Sequence, residues 1–212
     1  MKLLLTSAGL GHKSLGAALV ELVGKPASET KVGFVPTAAN VEPRKKDWLI
    51  NELLQLWRHG YSWIDVVDFS APGVDWRARL AEVDVLYLPG GDPYHLLHQM
   101  RQTGFADWLA EALKTKIYVG GSASAMVLAP TIAIAEPVYE YASEFKSTDL
   151  TGLNYVDFEL APHCDMPTFA KVEAYAKTAQ NPVYAIDDLS AILVVDQEVT
   201  VLSKGSWKKY KK

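Results

Sequence analysis

Short runs of β-forming residues alternate with helix-forming segments through the first 130 positions, and that alternation leaves few architectures open. Residues 2–6, 31–35, 64–67, 83–88 and 117–119 read as strands. Residues 15–23, 43–58, 75–81 and 94–100 read as helices, with Trp48, Leu49, Leu53 and Leu56 at helical spacing in the second. Strands joined by helices run parallel and need cover on both faces. The expected fold is therefore α/β, a three-layer sandwich with a mostly parallel central sheet. Further on, 131–135, 155–160, 183–186, 191–195 and 199–202 read as strands, 169–177 as a helix and 136–149 as an irregular acidic loop. A hairpin at Asp196-Gln197 gives the C-terminal part an antiparallel character, as α/β sheets often have at one edge.

At 212 residues the chain is expected to form a single domain over its whole length. Apolar residues make up 49% and charged residues 22%, an ordinary globular composition, and a net charge of −4 supplies no electrostatic footprint for nucleic acid. The opening apolar run is too short for a signal peptide and no stretch is long enough to span a bilayer, so a cytoplasmic protein without a membrane partner is expected. Cys164 is the only cysteine, which excludes an intrachain disulfide and a cysteine-based zinc site. The lysine-rich end, 207–212, reads as a solvated tail, and Trp48, Trp57 and Trp63 read as core residues, with a homodimer interface as the alternative.

One stretch carries a chemical signal. Ile117-Tyr118-Val119 is followed by Gly120-Gly121-Ser122 and then by the helix formers Ala123 to Ala129. A strand turning sharply into a helix with serine at the corner lifts a hydroxyl above the carboxyl edge of the sheet. It also sets that hydroxyl beside the unpaired N–H groups of the helix start, which can hold an oxyanion. Pro89-Gly90-Gly91-Asp92-Pro93, at the end of the preceding strand, is the second loop expected at that edge. A Gly90 or Gly91 N–H could join that of Ala123 as an oxyanion donor.

A serine needs a base, and the base needs an orienting group. Of the five histidines, His163 closes a strand directly and is pinned by Pro162, which favours it over His12, His59, His95 and His98. Glu140 and Glu136 are the leading candidates for the acid, ahead of Glu144, Asp149 and Asp165.

Several separate stretches resemble the peptidase E-like serine peptidases, which include aspartyl dipeptidases and cyanophycinases and share the class I glutamine amidotransferase-like fold. They are Leu-Leu-Leu-Thr-Ser at 3–7, Val-Gly-Phe-Val-Pro-Thr-Ala at 32–38 and Leu-Pro-Gly-Gly-Asp-Pro-Tyr-His-Leu-Leu at 88–97. Tyr-Val-Gly-Gly-Ser-Ala-Ser-Ala at 118–125 and Gly-Leu-Asn-Tyr-Val-Asp-Phe-Glu-Leu-Ala-Pro-His at 152–163 complete the set. The resemblance implies Ser122 as nucleophile, His163 as base, an acid in the loop between them (Glu140 first, Glu136 second), and Gly91 and Ala123 as oxyanion donors. It implies hydrolysis of a small peptide or isopeptide through an acyl-enzyme, with no cofactor and no metal. Ser124 stands where relatives carry glycine and Asp92 where they carry asparagine, and no arginine follows Arg101, so aspartyl specificity is not expected. The same two departures motivate the alternative, a catalytically silent small-ligand-binding protein on this fold.

Overall fold

The computed structural model describes residues 1–212 except 44, 142 and 212. In its central sheet, β1 (Lys2–Thr6), β2 (Lys31–Phe34), β3 (Trp63–Val66), β4 (Val85–Leu88) and β5 (Ile117–Gly121) run parallel. Two antiparallel strands, β8 (Ser190–Val195) and β9 (Glu198–Ser203), extend it to seven, in the order β3-β2-β4-β5-β1-β8-β9. A smaller three-stranded sheet has the order β10-β7-β6, from β6 (Glu159–Ala161), β7 (Val183–Ile186) and β10 (Trp207–Tyr210). The architecture is the expected three-layer α/β sandwich.

The β1 sequence shows why both faces are covered. Side chains alternate across a strand, so Leu3 and Leu5 point into one core while Leu4 points into the other, and all three are fully buried. On the Leu4 side, α1 (Lys13–Val23) contributes Leu15, Leu19 and Leu22, and α2 (Asp47–Arg58) contributes Leu56. The Leu3 and Leu5 side is packed by α3 (Trp76–Ala81), α4 (Pro93–Gln102), α5 (Phe105–Ala112) and α6 (Ala123–Met126). There Phe69 stacks on Phe105 at 4.2 Å between centroids, and Trp76 meets Trp108 edge-on at 5.5 Å.

Several expectations change. The segment 131–135 is not a strand: Thr131 makes an isolated bridge to Thr151, and the supposed loop after it opens with helix α7 (Ala135–Tyr139). Pro137 lies in the first turn of that helix, where its missing N–H costs nothing. The expected strand at 155–160 shortens to β6, and the helix after it, α8, spans Met166–Ala176. The lysine-rich end is a paired strand that stays solvent-exposed: Trp207 to Tyr210 pair antiparallel with Ile186 to Val183, residues 207–209 and 211 are exposed, and 212 lies outside the described residues. The three tryptophans are not core residues: Trp48, Trp57 and Trp63 are 36%, 68% and 41% exposed. Among the described residues no helix is long and apolar enough to cross a membrane.

Candidate active site

The carboxyl edge of the parallel sheet is where the sequence directs attention, and the strand registers explain what meets there. β1 pairs with β5 so that Thr6 lies opposite Gly121, which brings the next residues, Ser7 and Ser122, side by side. The Ser122 N–H donates to the Thr6 carbonyl at 3.0 Å, fixing that pairing one residue beyond the strands. Ser122 itself sits at φ 48°, ψ −114°, a conformation costly for a residue with a Cβ. Its hydroxyl does not cap the helix it opens. Such a corner persists only where its surroundings over-determine it, and glycines supply the room. A Cβ on Gly90 would lie 3.0 Å from the Ser122 Cβ, and one on Gly120 would meet the Ser124 carbonyl at 2.8 Å.

The second half of the site comes from the small sheet. β6 and β7 are parallel, with Ala161 opposite Ala185, so both strands end at the same edge. His163 lies two residues past one strand and Asp188 two residues past the other. The Cys164 N–H bonds to the Ile186 carbonyl at 3.0 Å and holds the two exits together. His163 Nδ1 lies 2.6 Å from Asp188 Oδ1. The Ser7 hydroxyl donates to the same carboxylate oxygen at 2.6 Å and accepts the His163 backbone N–H at 2.7 Å. Hydrogen bonds from His163 and Ser7 together hold the Asp188 carboxyl below the usual carboxylate range despite partial burial. His163, at φ 55°, is a second non-glycine residue in left-handed backbone, and it lines the same cavity as Ser122.

Glu140 and Glu136 are not brought to His163. Glu140 ends α7 in a left-handed conformation and pairs with Lys171 of α8 at 2.8 Å; Glu136 pairs with Lys146 at 2.9 Å. The short helix turns both carboxylates toward lysines, where a loop was expected to fold back. Asp188 lies outside the sequence candidates because these run from the loop before His163 no further than Asp165, two residues after it. The available signal was Asp187-Asp188 directly after the strand-like Val183 to Ile186.

Asp92 also has a local task. It is buried, caps α4 by accepting from the Tyr94 and His95 N–H groups at 2.8 and 3.0 Å, and takes the Ser143 hydroxyl. Ser124 is accommodated without crowding: its hydroxyl donates to the Pro89 carbonyl at 2.5 Å and ties the elbow helix to the Gly90-Gly91 loop. Gly91 has φ 140°, and a Cβ there would lie 2.2 Å from the Ala38 carbonyl oxygen. Gly91→Ala is therefore expected to cost roughly 3 kcal/mol or more of stability, measured by urea unfolding. A loss below about 1 kcal/mol would show that the loop can relax around a side chain.

Ser122, His163, Asp188, Gly90 and Gly91 open onto one cavity of about 530 Å³, with Trp48 of α2 and Tyr141 on its walls. Tyr141 donates to Glu42. A smaller cavity of about 90 Å³ also reaches Ser122 and His163 and is walled by Gly91 and Ala123. Ala123, first residue of α6, has no intrahelical acceptor for its N–H. A separate cleft of about 300 Å³ between residues 154–158 and 194–199 contains no serine, histidine or cysteine. Among the described residues no group of three or more His, Cys, Asp or Glu is placed to hold a metal ion. Burial pushes the Cys164 thiol up to about 12, so it stays protonated and unreactive beside His163.

Glu52 is the unexpected member of the large cavity. It comes from α2, is buried, and accepts from the Tyr87 hydroxyl at 2.9 Å. Burial pushes its carboxyl up to about 7, against the opposing hydrogen bond from Tyr87 and the nearby His163 and Gly90. A carboxyl with a raised folded pKa binds more protons folded than unfolded. Stability is accordingly lost as pH rises from about 4.5 through about 7. Glu52→Gln removes that loss, so its stability relative to wild type should gain about 3 kcal/mol between pH 4 and pH 8. Urea unfolding at several pH values measures it, and parallel curves would contradict it.

A structure from Listeria monocytogenes EGD-e, assigned as a candidate peptidase E, superimposes with a TM-score of 0.80 at 25% identity, covering 96% of this chain and 98% of that one. A peptidase from an acI-B1 actinobacterium superimposes with a TM-score of 0.66 at 20% identity, over 99% and 90% of the two chains, and bears on the fold alone. An uncharacterised peptidase of Pasteurella multocida, PM1590, is 29% identical over 184 residues, 84% of this chain and 86% of its own. Peptidase E of Streptomyces coelicolor is 32% identical over 94 residues, 43% of this chain and 36% of its own. The model of one family matches residues 3–202, from the first strand through the hairpin that closes the central sheet and across every residue of the site just described. The chain belongs to peptidase family S51.

Proposed function

We propose that this peptidase acts through a Ser122–His163–Asp188 triad on small peptide substrates, by way of an acyl-enzyme. The observation that carries the reading is the His163–Asp188 pair facing the cavity onto which the strained Ser122 corner opens. With Nδ1–H donated to Asp188, the other ring nitrogen is left as an acceptor for the serine proton. Ser122 Oγ attacks the peptide carbonyl and His163 takes its proton. The Gly91 and Ala123 N–H groups hold the negative oxygen of the tetrahedral intermediate. His163 then returns the proton to the departing amine, and a water activated by the same ring cleaves the ester. Ser7 fixes both partners of the His163–Asp188 hydrogen bond, one through its hydroxyl hydrogen and one through its lone pair. The walls of a cavity of about 530 Å³ suit a dipeptide or a short peptide end rather than a folded protein chain.

The silent-binder alternative rested on Ser124 and Asp92, and both now have structural roles that leave Ser122 unobstructed. A fluorophosphonate probe separates the two readings. The expected result is one adduct, on the peptide bearing Ser122, formed by folded protein and not by denatured protein. Folded protein that remains unlabelled at millimolar probe would favour the binder.

A further inference from the structure

The two cavities that meet at Ser122 and His163 differ in chemistry. Charged side chains border the larger one: Glu42, Lys45, Glu52 and Asp188. The smaller is walled by Gly91, Ala123, Met126, Ala135, Tyr139 and Tyr141, with prolines completing it. Met126 and Ala135 are buried. The polar ends of the tyrosines are already committed, Tyr139 donating to the Pro162 carbonyl at 2.6 Å and Tyr141 to Glu42. Apart from these tyrosines and His163, no wall residue can ionise.

We infer that the smaller cavity receives the side chain of the residue whose carbonyl is attacked, and confines that residue to a short uncharged one such as alanine or valine. The inference rests on Ser122 being the nucleophile. The acyl residue must adjoin both the nucleophile and the oxyanion donors, and Gly91 and Ala123 are themselves walls of this cavity. The leaving amine must instead depart past the imidazole that protonates it, toward the wider space bordered by Ala8 and Asp188. A carboxylate or ammonium entering the small cavity would lose its water and meet no counter-ion. No lysine or arginine lines it, and the two lysines nearest α7 in the ion-pair pattern are engaged, Lys171 with Glu140 and Lys146 with Glu136. Size sets the other limit: an apolar cavity of roughly 150 Å³ is what holds benzene, and this one is about 90 Å³.

The test pairs a series of X-Leu dipeptides, with X as Ala, Val, Phe, Asp and Lys, with fluorophosphonate labelling of the same sample. Ala-Leu and Val-Leu should have the highest kcat/KM, with Asp-Leu and Lys-Leu lower on the order of a hundredfold and Phe-Leu lower by about tenfold or more. Met126→Ala should raise Phe-Leu relative to Ala-Leu by about tenfold; if that variant does not fold, the wild-type series decides alone. Protein labelled at Ser122 that cleaves Asp-Leu or Lys-Leu as fast as Ala-Leu, or cleaves none of the series, overturns the pocket assignment while the nucleophile stands. Folded protein that takes no label removes the nucleophile and the pocket assignment with it.

Discussion

Ser122→Ala is expected to lower kcat for dipeptide hydrolysis on the order of 10³-fold or more, with KM and thermal stability close to wild type. The asymmetry follows from what the hydroxyl does in the folded protein. It caps no helix, so its removal strands no partner. The left-handed backbone at φ 48° is equally awkward for alanine, so the strain is neither relieved nor increased. The corner is held by its neighbours, through the Ser122 N–H on the Thr6 carbonyl and the Ala125 and Met126 N–H groups on the Ser122 carbonyl, and these survive the substitution. The change in stability should therefore stay within about 1 kcal/mol. Any residual rate belongs to the oxyanion donors and to substrate positioning. Steady-state kinetics with a matched thermal melt measures both halves. A folded variant that retained full activity would end the serine mechanism.

The parts legible in the sequence were those fixed by short-range pattern. The elbow was readable because strand, glycine pair, serine and helix lie within fourteen consecutive residues, 116–129, and each step has a local physical signal. The parallel sheet was readable because its strands alternate with helices. His163 was readable from its place directly after a strand-like run and Pro162. What did not read through depends on pairing between distant segments. Nothing local says that β6 lies beside β7, and only that pairing brings residue 188 to residue 163. The lysine-rich tail likewise gains its strand character from β7, its sole partner in the small sheet. Glu140 was favoured on chain order and loop length, but five helical residues before it, one a proline, redirected it to Lys171. Ser7 was part of the quoted Leu-Leu-Leu-Thr-Ser stretch, yet its value lies in register, since it sits beside Ser122 only because Thr6 pairs with Gly121.

Asp188→Asn puts that distant pairing to the test. In the proposed triad the carboxylate, 2.6 Å from His163 Nδ1, accepts Nδ1–H and leaves the opposite ring nitrogen as the acceptor for the serine proton. An asparagine amide fits the same space but can present its NH₂ to Nδ1, which favours the tautomer with the proton on the wrong nitrogen. The expected loss in kcat is on the order of 10³- to 10⁴-fold, as for the same exchange in other triads. KM should change little, because asparagine keeps the size and place of the Asp188 side chain on the cavity wall. Ser7→Ala should give a smaller loss of roughly tenfold, since it removes one support of each partner but leaves the His163–Asp188 hydrogen bond. Glu140→Gln and Glu136→Gln supply the contrast: each breaks an exposed pair with a lysine, worth little in water, and should keep activity within about twofold. The three carboxylate variants order the acids by function rather than by chain position. A collapse of kcat in Glu140→Gln with Asp188→Asn near wild type would reverse the assignment and require the segment after α7 to refold onto His163 when substrate binds.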